Sequence, residues 1–176
     1  MSRGRCLSAV VLGLFAAGCA GTVAPTENTA RAQLRNAGGQ TVGTVTLTQV
    51  GKAVRVVLEA RGLPPGTKAV HIHAVGKCDP PDFASAGSHF NPQGRQHGAK
   101  NPEGPHAGDL PNVTIAADGT GRLESTNELV TLHRAPNSLF DADGSAVVVH
   151  AAPDDFRTDP TGNSGARIAC GVVMRE

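Results

Sequence analysis

From Thr41 onward, apolar and polar residues alternate along the chain. Val45 and Leu47 stand among threonines, Gly51-Lys52 breaks the run, and Val54, Val56 and Leu58 then alternate with Arg55 and Glu59. A period of two gives a strand one buried and one exposed face, so this segment predicts two antiparallel strands joined by a hairpin. Gly62 to Gly66, with Pro64-Pro65 inside, predicts a turn. Residues 69–75 predict a third strand with Val70, Ile72 and Ala74 on one face and His71 and His73 on the other. Further strands are expected over 113–117, 121–126, 128–132, 146–150 and 167–174, with a turn at Asp118-Gly119. Seven or eight strands, without a long helical period after the N-terminus, predict one all-β domain, a sandwich or flattened barrel.

Two stretches depart from this pattern. Residues 76–111 form a 36-residue connection with six glycines and six prolines, too long for a mere turn in a compact domain. Such a loop is either functional or a mobile, solvated excursion. At the N-terminus, Arg3 and Arg5 precede an apolar stretch from Ala9 to Ala17 that is too short to span a bilayer. This reads as an export leader over residues 1–18. Ala16-Ala17-Gly18-Cys19 resembles a bacterial lipobox, although Ala16 stands where leucine is usual, so Cys19 is the expected acylation site and membrane anchor. Residues 19–39, rich in Ala, Thr, Asn and Gly, are expected to be a flexible tether, leaving 40–176 as the folded domain.

Export changes the reading of charge and cysteine. Loss of Arg3 and Arg5 with the leader turns the formal charge of +1 into −1, and no broad nucleic-acid-binding surface is implied. Removing Cys6 and acylating Cys19 leaves Cys78 and Cys170, which are expected to pair in an oxidising cell envelope.

The candidate chemistry is metal binding. Of seven histidines, six fall in a set of possible ligands: His71, His73, His89, His97, His106 and His150, with Asp109 alongside. His71 and His73 project from one strand face, and His150 ends a strand whose Ala146 and Val148 share its side. His89, His97, His106 and Asp109 lie in the long loop, where three imidazoles and a carboxylate suit a closed structural zinc. The remaining His133 lies outside every motif and reads as a surface or packing residue. Asp155, Arg157 and Asp159 read as a solvated charge run, and Phe83 and Phe90 as anchors of the long loop.

The ordered set His71-Ile-His73, Gly87-Ser-His89-Phe-Asn-Pro92, His97-Gly98, His106-Ala-Gly-Asp109-Leu, Val149-His150 and Gly162-Asn-Ser-Gly-Ala-Arg167-Ile-Ala-Cys170-Gly171 resembles the exported bacterial copper/zinc superoxide dismutases over roughly residues 40–176. The resemblance implies an eight-stranded Greek-key flattened β-barrel. It implies copper on His71, His73, His89 and His150, zinc on His89, His97, His106 and Asp109, and His89 shared between them. It further implies Asp154 as a carboxylate bonded to a histidine of each metal, Arg167 as the residue attracting the substrate anion, and a Cys78–Cys170 disulfide. The implied activity is disproportionation of superoxide to dioxygen and hydrogen peroxide. A domain that only holds copper and zinc in the envelope is the alternative. Monomer and homodimer are both left open.

Overall fold

A computed structural model of the protein describes residue 1 and residues 28–176, so the leader, Cys6 and Cys19 lie outside the described residues. Among these, nine strands are present: β1 (Thr29–Arg35), β2 (Thr41–Val50), β3 (Ala53–Ala60), β4 (Gly66–Lys68), β5 (Val70–His73), β6 (Val113–Ile115), β7 (Gly121–Asn127), β8 (Ala146–His150) and β9 (Arg167–Arg175). Seven pair in the order β5-β8-β9-β1-β2-β3-β7, every neighbour antiparallel. A short β4–β6 pair completes the wall, with β6 beside β7, and the strands curl around one core.

The alternation of β2 and β3 does what its period predicts. Val45, Leu47, Val54, Val56 and Leu58 are fully buried on the inner face, beside Ile72, Val147 and Val149 from the other end of the sheet. Burying such aliphatic side chains contributes about 1.5–3 kcal/mol each.

Two expectations need correction. The segment expected to be a tether over residues 19–39 contains β1, an interior strand hydrogen-bonded to β9 on one side and β2 on the other. Its inward residues are Ala30, Ala32 and Leu34, all fully buried, while Arg31, Gln33 and Arg35 face outward. The period of two was present but rested on two alanines, which carry little apolar area and look like linker composition. The folded domain therefore begins about ten residues earlier than expected.

The strand expected over 128–132 is also absent. That segment buries Val130 and Leu132 but, apart from one isolated parallel bridge between Thr131 and Ser138, bonds its backbone through side-chain amides instead of a ladder. Asn127 Oδ1 accepts from the Leu129 N–H, Asn137 Nδ2 donates to the Leu129 carbonyl, and Gln49 Oε1 accepts from Leu132 N–H. The residues alternate correctly, yet no partner strand lies beside them.

Because β1 is interior and Leu34 is packed on all sides, Leu34→Ala is expected to lower the unfolding free energy of the metal-free domain by about 2–5 kcal/mol in urea titration. Deletion through Arg35 is expected to prevent folding. A cooperative native-like transition in the deletion variant would return this segment to the status of a tether.

Candidate metal centre

The site lies on the outer face of β5, β8 and β9. Register sets His71 opposite Val148 and His73 opposite Ala146, and pairs His150 with Arg167 across an irregularity in β8–β9. This outer face is not left to solvent. Residues of the long loop return along the free edge of β5: Ala74 N–H donates to the Ser88 carbonyl, Phe90 N–H to Ile72, and Ile72 N–H to Gly108. Bridges pair His73 with His89 and His71 with Asp109. Gly108 allows this approach, because a Cβ there would collide with the Ile72 carbonyl. Candidate ligands far apart in the chain are thus brought together by main-chain pairing.

Four buried ring nitrogens face each other without a hydrogen-bond partner: His71 Nδ1, His73 Nε2, His89 Nε2 and His150 Nε2. One nitrogen from each of these four residues fits within a mutual separation of 4.8 Å. In three of them the opposite nitrogen is fixed by an acceptor. His71 Nε2 donates to Asp154 Oδ2 at 2.8 Å, His73 Nδ1 to the Gly87 carbonyl at 2.9 Å and His150 Nδ1 to the Gly165 carbonyl at 3.1 Å. An acceptor on one side places the proton there and leaves a lone pair on the other, the arrangement by which proteins orient metal-binding imidazoles. Four unpartnered buried lone pairs converging on one point fit a metal that accepts nitrogen donors, such as copper.

On the other side of His89 the donors change. His89 Nδ1 and His97 Nδ1 each lie 3.0 Å from Asp109 Oδ1, and His106 Nδ1 lies 3.4 Å from His89 Nδ1 and 3.5 Å from Asp109 Oδ1. Tetrahedral donors about 2.0 Å from zinc stand about 3.3 Å apart, so three nitrogens and a carboxylate at these spacings fit zinc. His71 also comes within 4.8 Å of the His89, His97 and Asp109 donors. Its Nε2 is already committed to Asp154, however, and its Nδ1 faces the first group, so His106 is the better fourth donor. Asp109 is itself held by N–H groups of Gly98 and His106 on its Oδ2.

Asp154 joins the two halves. Its side chain is fully buried, with Oδ2 accepting from His71 and Oδ1 accepting from His97 Nε2 at 2.9 Å. Its own backbone is clamped by Asn112, whose Oδ1 accepts the Asp154 N–H while its Nδ2 donates to the Asp154 carbonyl. Gly162, at φ +63°, covers this carboxylate, and any side chain there would strike both Asp154 and His97.

A cleft of about 880 Å³ opens onto His73, His89 and His150, with Arg167 in its wall. The Arg167 guanidinium is fixed by the Phe83 and Gly87 carbonyls, both at 2.6 Å, so Gly87 accepts from the arginine and from His73 together. Those carbonyls flank a 3₁₀ turn, Ala84–Ala86, pinned to the sheet by buried Phe83 and by the Cys78–Cys170 disulfide. Every candidate ligand foreseen in the sequence is therefore in this site. His133 stays out of it, bonding Asn28 instead.

Three contributors were missed. The Gly87 carbonyl and Asn112 leave no signal in sequence, since any residue has a carbonyl and Asn112 acts through the backbone of Asp154. Asp159 was assigned to a solvated charge run, but its Oδ1 accepts the His97 N–H at 2.6 Å. Asp155 does match that reading in part, capping its own loop through Arg157, Thr158 and Asn163.

Burial dominates the protonation of this site. It pushes His73 down to about 2, against a raising contribution from the Gly87 carbonyl, and His150 down to about 3. His89 is pushed down to about 4 by burial, with Asp109 opposing. His97 behaves oppositely: burial disfavours its charge, but hydrogen bonds to Asp109 and Asp154 raise it to about 9. Asp109 and Asp154 lie below the usual carboxylate range, because hydrogen bonds from the surrounding imidazoles and N–H groups outweigh their burial.

Residues 41–173 match the family described as copper/zinc superoxide dismutase (SODC). A protein named superoxide dismutase [Cu-Zn] 1 from Aquifex aeolicus is 51% identical over 144 residues, 81% of this chain and 85% of that protein. One named superoxide dismutase [Cu-Zn] from Caulobacter vibrioides is 46% identical over 147 residues, 82% and 84% of the two chains. Among solved structures, a double mutant of a SOD-like protein from Bacillus subtilis superposes with a TM-score of 0.79 at 41% identity, covering 82% of this chain and 96% of that one. The curled antiparallel sheet is accordingly the Greek-key β-barrel that the resemblance implied. The chain belongs to the copper/zinc superoxide dismutase family.

The protonation pattern fixes how the metal-free protein responds to pH. His73, His89 and His150 have folded pKa values below their ordinary 6.5, so the unfolded chain binds protons that the folded chain refuses, and stability falls as pH drops below 6.5. Depressed Asp109 and Asp154 add stability that is present above their ordinary 3.8 and lost on further acidification. His97 contributes stability fully present below 6.5 and lost as pH rises through about 9. Urea midpoints of the metal-stripped protein should therefore decline from about pH 6.5 to about pH 4; a flat profile would show that these imidazoles are not buried as neutral groups.

Proposed function

We propose that His71 Nδ1, His73 Nε2, His89 Nε2 and His150 Nε2 hold copper. His89, His97 and His106 through Nδ1, with the Asp109 carboxylate, hold zinc, and the chain disproportionates two superoxide anions and two protons to dioxygen and hydrogen peroxide. The observation that carries this reading is the convergence of four buried, unpartnered imidazole nitrogens beside a separate three-nitrogen, one-carboxylate group, with His89 contributing to both. When bound, copper supplies one-electron reduction and oxidation of superoxide, while zinc, having no redox chemistry, supplies structure and charge.

The chain's own residues do the rest. Arg167, cationic and fixed by two carbonyls, draws the substrate anion into the cleft and holds it beside His73 and His150. His89 would carry a proton at Nε2 only when that atom is not holding copper, while the group of donors around its Nδ1, Asp109 among them, keeps the ring in place. Asp154 holds the His71 and His97 rings in a single tautomer, so both metal groups keep their spacing.

Export to an oxidising compartment supports the same reading. The leader pattern of residues 1–18 and the formed Cys78–Cys170 bond both fit an extracytoplasmic enzyme. Acylation of Cys19 would keep it at a membrane surface, and mass spectrometry of the mature N-terminus tests that anchor directly.

Superoxide decay measured on copper- and zinc-loaded protein should exceed that of equal free copper, and His73→Ala should bring it down to the free-copper level. Arg167→Ala should keep its copper and lose about tenfold in kcat/KM, with a weaker dependence on ionic strength. Unchanged turnover in the His73 variant would reject the assignment.

A further inference from the structure

Two loops enclose the metal groups, the long loop over residues 76–111 and the segment over 151–166 that follows β8. Asp159, in the second, reaches across to the first. Its Oδ1 accepts the main-chain N–H of His97 at 2.6 Å, and the same oxygen stands 3.7 Å from His106 Nε2. The latter distance is too long for a hydrogen bond and sets the carboxylate facing the Nε2 edge of the ring. Two of the four residues assigned to zinc thus face this one carboxylate on the side away from Asp109.

The position is at a door. His97 is fully buried and Asp109 nearly so, whereas the His106 side chain, the most exposed imidazole of the zinc group, lines the cleft together with Asp159. The Asp159 side chain is 46% exposed, so it sits at the boundary between solvent and the zinc-side donors. Other ties between the loops, Asp154 to His97 and Lys100 N–H to the Phe156 carbonyl, lie elsewhere in the loop contact. Asp159 both joins the 151–166 segment to the His97 main chain and faces His106 at the cleft.

We propose that Asp159 is a positioning residue that retains zinc: it latches the 151–166 segment onto His97 and polarises His106 from behind, slowing departure of the ion through the cleft. The inference rests on the zinc assignment made above. Outer carboxylates of this kind change metal affinity by about 10- to 100-fold when removed.

The test is zinc transfer from the copper- and zinc-loaded full domain to a colorimetric chelator, with copper content followed in parallel. Asp159→Ala should release zinc at least about tenfold faster than wild type and keep its copper. Asp159→Asn, which retains an acceptor for the His97 N–H but not the charge facing His106, should fall between the two. With cobalt(II) in place of zinc, the visible spectrum of Asp159→Ala should shift while its urea midpoint stays that of wild type, a combination that general loosening of the fold would not give. Equal release from wild type and both variants overturns the latch, as does equal loss of both metals. A wild-type protein that takes up no zinc overturns the zinc assignment itself, a result distinct from unchanged release.

Discussion

The buried carboxylate of Asp154 is the constraint on which the rest of the site depends. A charged group with no exposed surface is costly unless its oxygens are fully engaged. Here both oxygens accept ring N–H groups, from His71 and His97, and Oδ1 also accepts the Phe156 N–H. One of these rings belongs to the four-imidazole group proposed to hold copper, and the other to the group proposed to hold zinc. Because a ring that donates from Nε2 must present its lone pair from Nδ1, one carboxylate decides the tautomer on both sides at once. Asn112 holds the carboxylate's backbone, and Gly162 closes over it without a side chain. Strands supply the imidazoles, but this hydrogen-bonded hinge between the loops fixes which atoms they present.

Much of this was legible in the sequence because the chemistry is written in rare residues. Six of seven histidines are in the candidate ligand set, and the placement of His71, His73 and His150 on a strand face follows from a period of two. The Val-rich and Thr-rich strands β2 and β3 were equally plain. What escaped was encoded in residues with weak signatures. Ala30 and Ala32 build an interior strand with too little apolar area to stand out, so the domain's start was placed too late. The segment 128–132 alternates like a strand, yet Asn127, Asn137 and Gln49 satisfy its backbone from other elements. Whether a strand forms depends on a neighbour, and periodicity does not report neighbours.

The same distinction separates Asp154 from Asp159. Asp154 was found because a known pattern places a carboxylate at that position. Asp159 has the sequence surroundings of an exposed charge run, and only its approach to the His97 main chain sets it apart from Asp155, which caps its own turn. Exposure and function are compatible here: a group half in water can act on a buried one if its partner is a backbone N–H at the boundary.

Both ends of the cleft wall are fastened to β9, where Cys170 and Arg167 lie three residues apart. Cys170 is covalently linked to Cys78, and Arg167 grips Phe83 and Gly87 a few residues further along the same loop. The loop is therefore stitched to one strand at two points, one by sulfur and one by charge. Breaking the sulfur stitch removes no metal donor, but it frees the peptide that aims both the guanidinium and the His73 ring. Oxidative maturation of the cysteines would then act as a licence for anion capture, keeping a chain still in a reducing environment poorly assembled for its chemistry.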